Sequence, residues 1–157
     1  MAINYLTLIH VAISLAGIAT GFGALACWIG AKSSPGWTHV FLAMTIATSV
    51  TGFFFPFRGV TPGIVVGVIS LVVLAISCYA LYARRLAGVW RLAFVLGSVA
   101  ALYLNFFVLV AQLFQKTPAL AELAPTQSAP AFVATNLVVL AVFGVLGFAA
   151  ARGFRAV

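Results

Sequence analysis

Five long runs of apolar residues, at 4–31, 37–57, 63–83, 92–114 and 131–151, alternate with breaks rich in Gly, Pro, Ser and basic residues. Each run reaches the roughly 20 residues needed to cross the hydrocarbon of a bilayer as an α-helix. The runs are apolar on every face, whereas the strands of a membrane barrel alternate apolar and polar residues over about ten positions. The pattern predicts an all-α fold, a polytopic integral membrane bundle of five transmembrane helices, in a single domain spanning 1–157. The first three breaks are Lys32-Ser33-Ser34-Pro35-Gly36, Pro56-Phe57-Arg58-Gly59 with Pro62-Gly63, and Arg84-Arg85 through Arg91. They carry turn chemistry and are short, so consecutive helices should be antiparallel neighbours. The fourth, 115–130, holds Pro118, Pro125, Pro130 and the chain's only acid, Glu122. It is expected to lie across the membrane surface as a cap. Small residues predict close helix contacts: Ser14, Gly17 and Gly21 line one stripe of the first helix, and Gly63 with Gly67 forms a second small pair.

Composition supports the same class, with 65% hydrophobic against 6% charged residues. These values exclude an ordinary soluble domain. The net charge of +7 would suggest nucleic-acid binding in a soluble protein. Here each basic residue lies at or beyond the end of an apolar run, where it meets lipid headgroups or sets topology, so no nucleic-acid partner is expected. Lys32, Arg84, Arg85, Arg91, Arg152 and Arg155 fall on one face and Arg58 and Lys116 on the other. Basic residues in short loops are retained on the cytoplasmic side, which predicts a cytoplasmic C-terminus and, with five crossings, an N-terminus outside (periplasmic). The expected location is a bacterial inner membrane. Trp28, Trp37 and Trp90 fall at the cytoplasmic ends, where indole rings suit the interface. The opening stretch lacks the basic start of a secretory signal and is read as a retained helix, and Ala24-Leu25-Ala26-Cys27 as helix rather than a lipoprotein cleavage site.

No Asp, Glu, Lys or Arg stands in the middle of a run, which argues against proton-coupled transport, intramembrane proteolysis and a carboxylate-lined channel. The polar residues that remain are neutral. At about 1.5 Å per residue, His10 lies about 8 Å inside the outer boundary, with Thr51 and Asn136 at similar depth. Gln112 is slightly nearer the outside and Asn105 is near mid-membrane. These five are the candidate ligand pocket, outward-facing and roofed by 115–130; the plainer alternative is interhelical hydrogen bonding. Cys27, His39 and Cys78 near the cytoplasmic ends are a second, weaker candidate, for zinc or copper, without CxxC or a His pair at helical spacing. No catalytic residue and no metal site is assigned, and no cofactor is expected in the leading reading. Haem or quinone at His10, packed by Tyr103, Phe106 and Phe107, is the alternative. His10 and His39 stand roughly 20 Å apart across a core of about 30 Å, so one haem cannot use both within a subunit.

The run Ala47-Thr48-Ser49-Val50-Thr51-Gly52-Phe53 and the loop Leu123-Ala124-Pro125-Thr126-Gln127-Ser128 resemble segments of small, uncharacterised bacterial multi-pass inner-membrane proteins. The resemblance implies an inner-membrane location and singles out the 123–128 loop, and it carries no activity. The expected function is a non-enzymatic membrane protein: an accessory subunit of a larger complex, or a small binding module with a periplasm-facing polar pocket. A redox protein using His10 is the alternative and a passive transporter the third. The expected partners are the lipid bilayer and, beyond it, other membrane subunits or further copies of the chain.

Overall fold

A computed structural model describes residues 5–32, 35–56 and 62–155. Arg58 of the basic count and the expected helix limits at 4 and 57 lie outside the described residues. Among the described residues the fold is all helix, without strands. The order is α1 (Tyr5–Ile29), α2 (Pro35–Gly52), α3 (Pro62–Cys78) continued by a π-helical turn (Tyr79–Ala83), α4 (Val89–Lys116), α5 (Pro118–Leu123) and α6 (Pro130–Gly153). Four of these helices begin on proline, whose missing N–H falls where a helix leaves its first donors unpaired.

Four segments are long and apolar enough to cross a membrane: Tyr5–Ile29, Pro62–Ala83, Val89–Lys116 and Pro130–Gly153. The expected count of five is thus met by four. The second run falls short because helix α2 stops at Gly52, and Phe53, Phe54, Phe55 and Pro56 continue as turn and bend. Phe53 and Phe54 donate their N–H groups to the carbonyls of Val50 and Thr51, the tightened i to i−3 pattern that closes a helix. Thr38, His39, Thr45, Thr48, Ser49 and Thr51 also make α2 less apolar than the other long helices. The cap segment contains a helix of its own, α5, which the apolar pattern alone did not indicate.

Side-chain contacts define the two ends of the bundle. Trp28 Nε1 donates to Thr38 Oγ1 at 3.3 Å, joining the end of α1 to the start of α2. His10 Nδ1 and Thr51 Oγ1 are 2.8 Å apart, joining the first half of α1 to the end of α2. Helix α2 therefore runs antiparallel to α1 along most of its length. Helix α4 packs against α1, α2, α3 and α6 and forms the centre of the bundle. Its Phe94, Val95, Ser98, Ala101 and Leu102 are fully or almost fully buried.

The core is built on aromatic rings at one end. Trp28 meets Phe94 at 5.4 Å, Phe154 at 5.9 Å and Phe41 at 6.4 Å. This corrects the interfacial reading of Trp28, which is 2% exposed and faces the centre, while Trp37 is 48% exposed. The difference is rotational: Trp28 lies on the face of α1 that carries Ala24 and Gly21, one and two turns earlier. Gly21 is where α1 approaches its neighbours most closely, since an added Cβ would stand 2.5 Å from Leu102 and 2.9 Å from Phe41. The small stripe of α1 thus packs against α2 and α4. At the far end of α6, an added Cβ on Gly153 would meet the Ile29 and Trp28 carbonyls at 2.5 and 2.6 Å, so only glycine lets the ends of α1 and α6 touch.

Candidate functional site

The five polar residues expected to form one pocket are distributed among separate contacts. His10 is half-buried on α1 and reaches Thr51 on α2. The Thr51 hydroxyl lies 2.7 Å from the Ala47 carbonyl and 3.1 Å from that of Thr48, and its one hydrogen is committed to that helix backbone. With the hydrogen on the backbone, the hydroxyl accepts from His10 in the tautomer protonated at Nδ1, whose Nε2 carries the lone pair. Phe55 packs edge-on to the imidazole at 5.2 Å, and the Gly52 Cα leaves the ring edge uncrowded. Sequence spacing thus places one imidazole–hydroxyl pair near one end of the α1–α2 pair.

Asn105 pairs elsewhere. Ser14 Oγ donates to Asn105 Oδ1 at 2.8 Å, and Asn105 Nδ2 lies 3.4 Å from the Ser14 carbonyl. This reciprocal contact ties α1 to the central helix at mid-bundle, with Gly17 making room: an added Cβ there would stand 3.4 Å from Asn105 Nδ2 and 3.3 Å from Thr45 Oγ1. Asn136 is buried on α6, where its Nδ2 donates to the Phe132 carbonyl at 3.0 Å while its Oδ1 has no partner among the described residues. Gln112 is exposed. It stands seven residues beyond Asn105, on nearly the same face of α4. Among the described residues, His10 with Thr51 is the one hydrogen bond between members of the five.

The concavity at this end is made by other residues. A cleft of about 590 Å³ lies between the end of α4, α5 with the loop after it, and the first turn of α6. Phe114 and Phe132, in edge contact at 5.5 Å, form its apolar floor together with Ala111 and Ala124. Gln115, Thr126 and Gln127 bring the polar groups, and Pro62 closes the side toward α3. Among the described residues that line it, no side chain is charged. The local sequence explains the shape: Pro118 starts α5 immediately after Thr117 ends α4, and Ala124 turns back into the core, 7% exposed, before Pro125. Asn136 lies one helical turn beyond Phe132 and holds its carbonyl, so the orphan Oδ1 stands just behind the cleft floor. Gln115, Phe114 and Phe132 were not legible as site residues, whereas Thr126 and Gln127 belong to the loop that the sequence had already marked.

The second candidate constellation is also dispersed. The His39 ring stacks on Tyr82 at 5.8 Å, and Cys27 and Cys78 are half-buried free thiols. Among the described residues no three His, Cys, Asp or Glu side chains form a group that could hold a metal ion. His39 and Thr51 lie on the same helix, 12 residues or about 18 Å apart, which keeps His39 away from His10. The aromatic residues considered for a cofactor pack on other helices: Tyr103 and Phe106 each meet Phe143 at 5.7 Å, and Phe107 meets Phe132 at 6.2 Å. Comparison of the chain with family models, with curated proteins and with solved structures yields no match.

Proposed function

We propose that the protein is a non-enzymatic binding module of a bacterial inner membrane whose ligand enters the cleft under α5 from the periplasmic side. In this reading α2 is a fifth crossing, the start of α1 is outside and the end of α6 is cytoplasmic. The antiparallel course of α2 along α1 supports the fifth crossing, since His10–Thr51 and Trp28–Thr38 mark opposite ends of the pair. The observation that carries the functional reading is the cleft itself: two phenyl rings below, three neutral polar side chains at the rim, and a short helix as roof. Concave sites with an apolar body and a few oriented polar groups are the usual form of small-molecule sites. The absence of charge from the lining residues suits a neutral ligand.

The test is gentle purification followed by mass spectrometry and an absorption spectrum of everything retained, for the parent and for Ala121→Trp, which fills the cleft. The expected result is a small molecule retained by the parent and lost from the variant, with the helical content of both unchanged. Equal retention by both would remove the cleft from the function. A redox reading has one observation in its favour: among the described residues the hydrogen bond of His10 is made through Nδ1, on the side of the ring away from Nε2. A Soret band that disappears in His10→Leu would establish it in place of the cleft, and a stoichiometric membrane complex carried through purification would establish an accessory subunit.

A further inference from the structure

At the end of the bundle opposite the cleft, side-chain contacts connect basic residues to several elements. The Arg84 guanidinium lies 5.5 Å over the Trp90 ring, and Trp90 meets Tyr79 edge-on at 5.1 Å. Arg91, the next residue, donates from Nη1 to the carbonyls of Ala151 and Phe154, so its charge is spent on the end of α6. Arg84 and Arg85 are exposed and make no ion pair among the described residues. The backbone holds both outward: the π-helical turn ends at Arg84, then Arg85 and Leu86 take left-handed φ values of 46° and 59°. Leu86 turns inward against the core and its N–H donates to the Ala80 carbonyl at 2.9 Å, which leaves the neighbouring arginines on the rim. The chain's one acidic side chain, Glu122, is in α5 at the other end.

Directly along the membrane from these arginines runs an apolar track. Tyr79 is 50% exposed, Ile76 46% and Val72 55%. The spacing 72, 76, 79 places them on one face. A cationic rim above an exposed apolar stripe matches a ligand with an anionic head and a hydrocarbon tail. We propose that Arg84 and Arg85, with Trp90 and Tyr79, bind the phosphodiester of an anionic phospholipid whose acyl chain lies over Ile76 and Val72. The guanidinium fork pairs two oxygens of a phosphodiester, and aromatic rings at headgroup level flank it. A zwitterionic lipid brings its own ammonium into the same rim and is repelled there. This site is independent of the cleft and of which side of the membrane each end faces.

Native mass spectrometry of the protein in mild detergent tests it, with phosphatidylglycerol and phosphatidylcholine of identical chains as probes and inorganic phosphate as competitor. Phosphatidylglycerol should stay bound at collision energies that strip phosphatidylcholine. The double variant Arg84→Gln, Arg85→Gln should bind it on the order of tenfold more weakly, while Lys116→Gln at the opposite end leaves it unchanged. Millimolar phosphate should not displace it. Equal retention of the two lipids, or undiminished phosphatidylglycerol binding in a folded double variant, overturns the proposal. Displacement by phosphate alone also overturns it, because the site would then read a free anion and not a lipid.

Discussion

The Thr51 hydroxyl has one hydrogen and three oxygen or nitrogen neighbours, and placing that hydrogen on the Ala47 carbonyl, the nearest at 2.7 Å, makes Nδ1 of His10 the donor. Thr51→Val keeps the shape of the side chain and removes the acceptor, leaving Nδ1–H unpaired in apolar surroundings. A stability loss of about 0.6–2 kcal/mol is expected, with Thr51→Ser restoring most of it. Nitrogen chemical shifts of the imidazole report the tautomer directly, and a parent protein protonated at Nε2 would refute the assignment. The Ser14–Asn105 contact is tested by a double-mutant cycle of Ser14→Ala and Asn105→Ala. A coupling of about 0.6 kcal/mol, with a ceiling near 1.7, is expected in a bilayer-like environment. Strict additivity would mean that the two side chains do not meet.

Helix approach is governed by where an added atom would go. Gly21→Leu drives a side chain into Leu102 and Phe41 and should lower the melting temperature sharply or prevent folding. Gly144→Leu, on an exposed part of α6 with nothing within 4 Å, is the matched control and should melt like the parent. Equal melting of both variants would show that α1 does not touch α4 at Gly21. Arg91 acts at the same scale through charge, because two carbonyls at the end of α6 accept from it where the helix leaves acceptors open. Arg91→Leu should speed amide exchange in the last turn of α6 without affecting α1, and unchanged exchange there would show that the cap contributes nothing.

For the whole molecule the open matter is the course of α2. Eighteen residues rise about 27 Å, slightly less than a hydrocarbon core of about 30 Å, and its threonines and serines dilute its apolar character. In the proposed five-crossing arrangement those hydroxyls are masked from the bilayer by bonding back to their own helix: Thr45 to Phe41, Thr48 to Met44 and Ser49 to Thr45. Topology reporters inserted beside Lys32 and beside Arg58 should therefore report opposite sides. The same side for both would reduce the crossings to four and place the two chain ends on one side. A reporter near Glu122 should agree with the one beside Arg58.

Apolar run length determined the helical class and the approximate place of every long helix, because a bilayer imposes one element length and obliges the backbone to bond within itself. The stripe of Ser14, Gly17 and Gly21 also marked a real packing face, since small residues at helical spacing leave a groove whatever fills it. Run length failed at Gly52 and at 118–123, where backbone geometry overrides composition: phenylalanines after Gly52 are apolar yet not helical, and a short helix in the cap is helical yet not a span. Depth along a helix brought His10 to Thr51 but did not bring Gln112 or Asn136 to either. Depth fixes one coordinate of a side chain; rotation about the helix and the divergence of neighbouring helices fix the others, and these depend on packing between distant parts of the chain. The same reason buried Trp28, expected at the interface, and assembled the cleft from Phe114, Gln115, Thr126, Gln127 and Phe132, which only the meeting of α4, α5 and α6 places around one space.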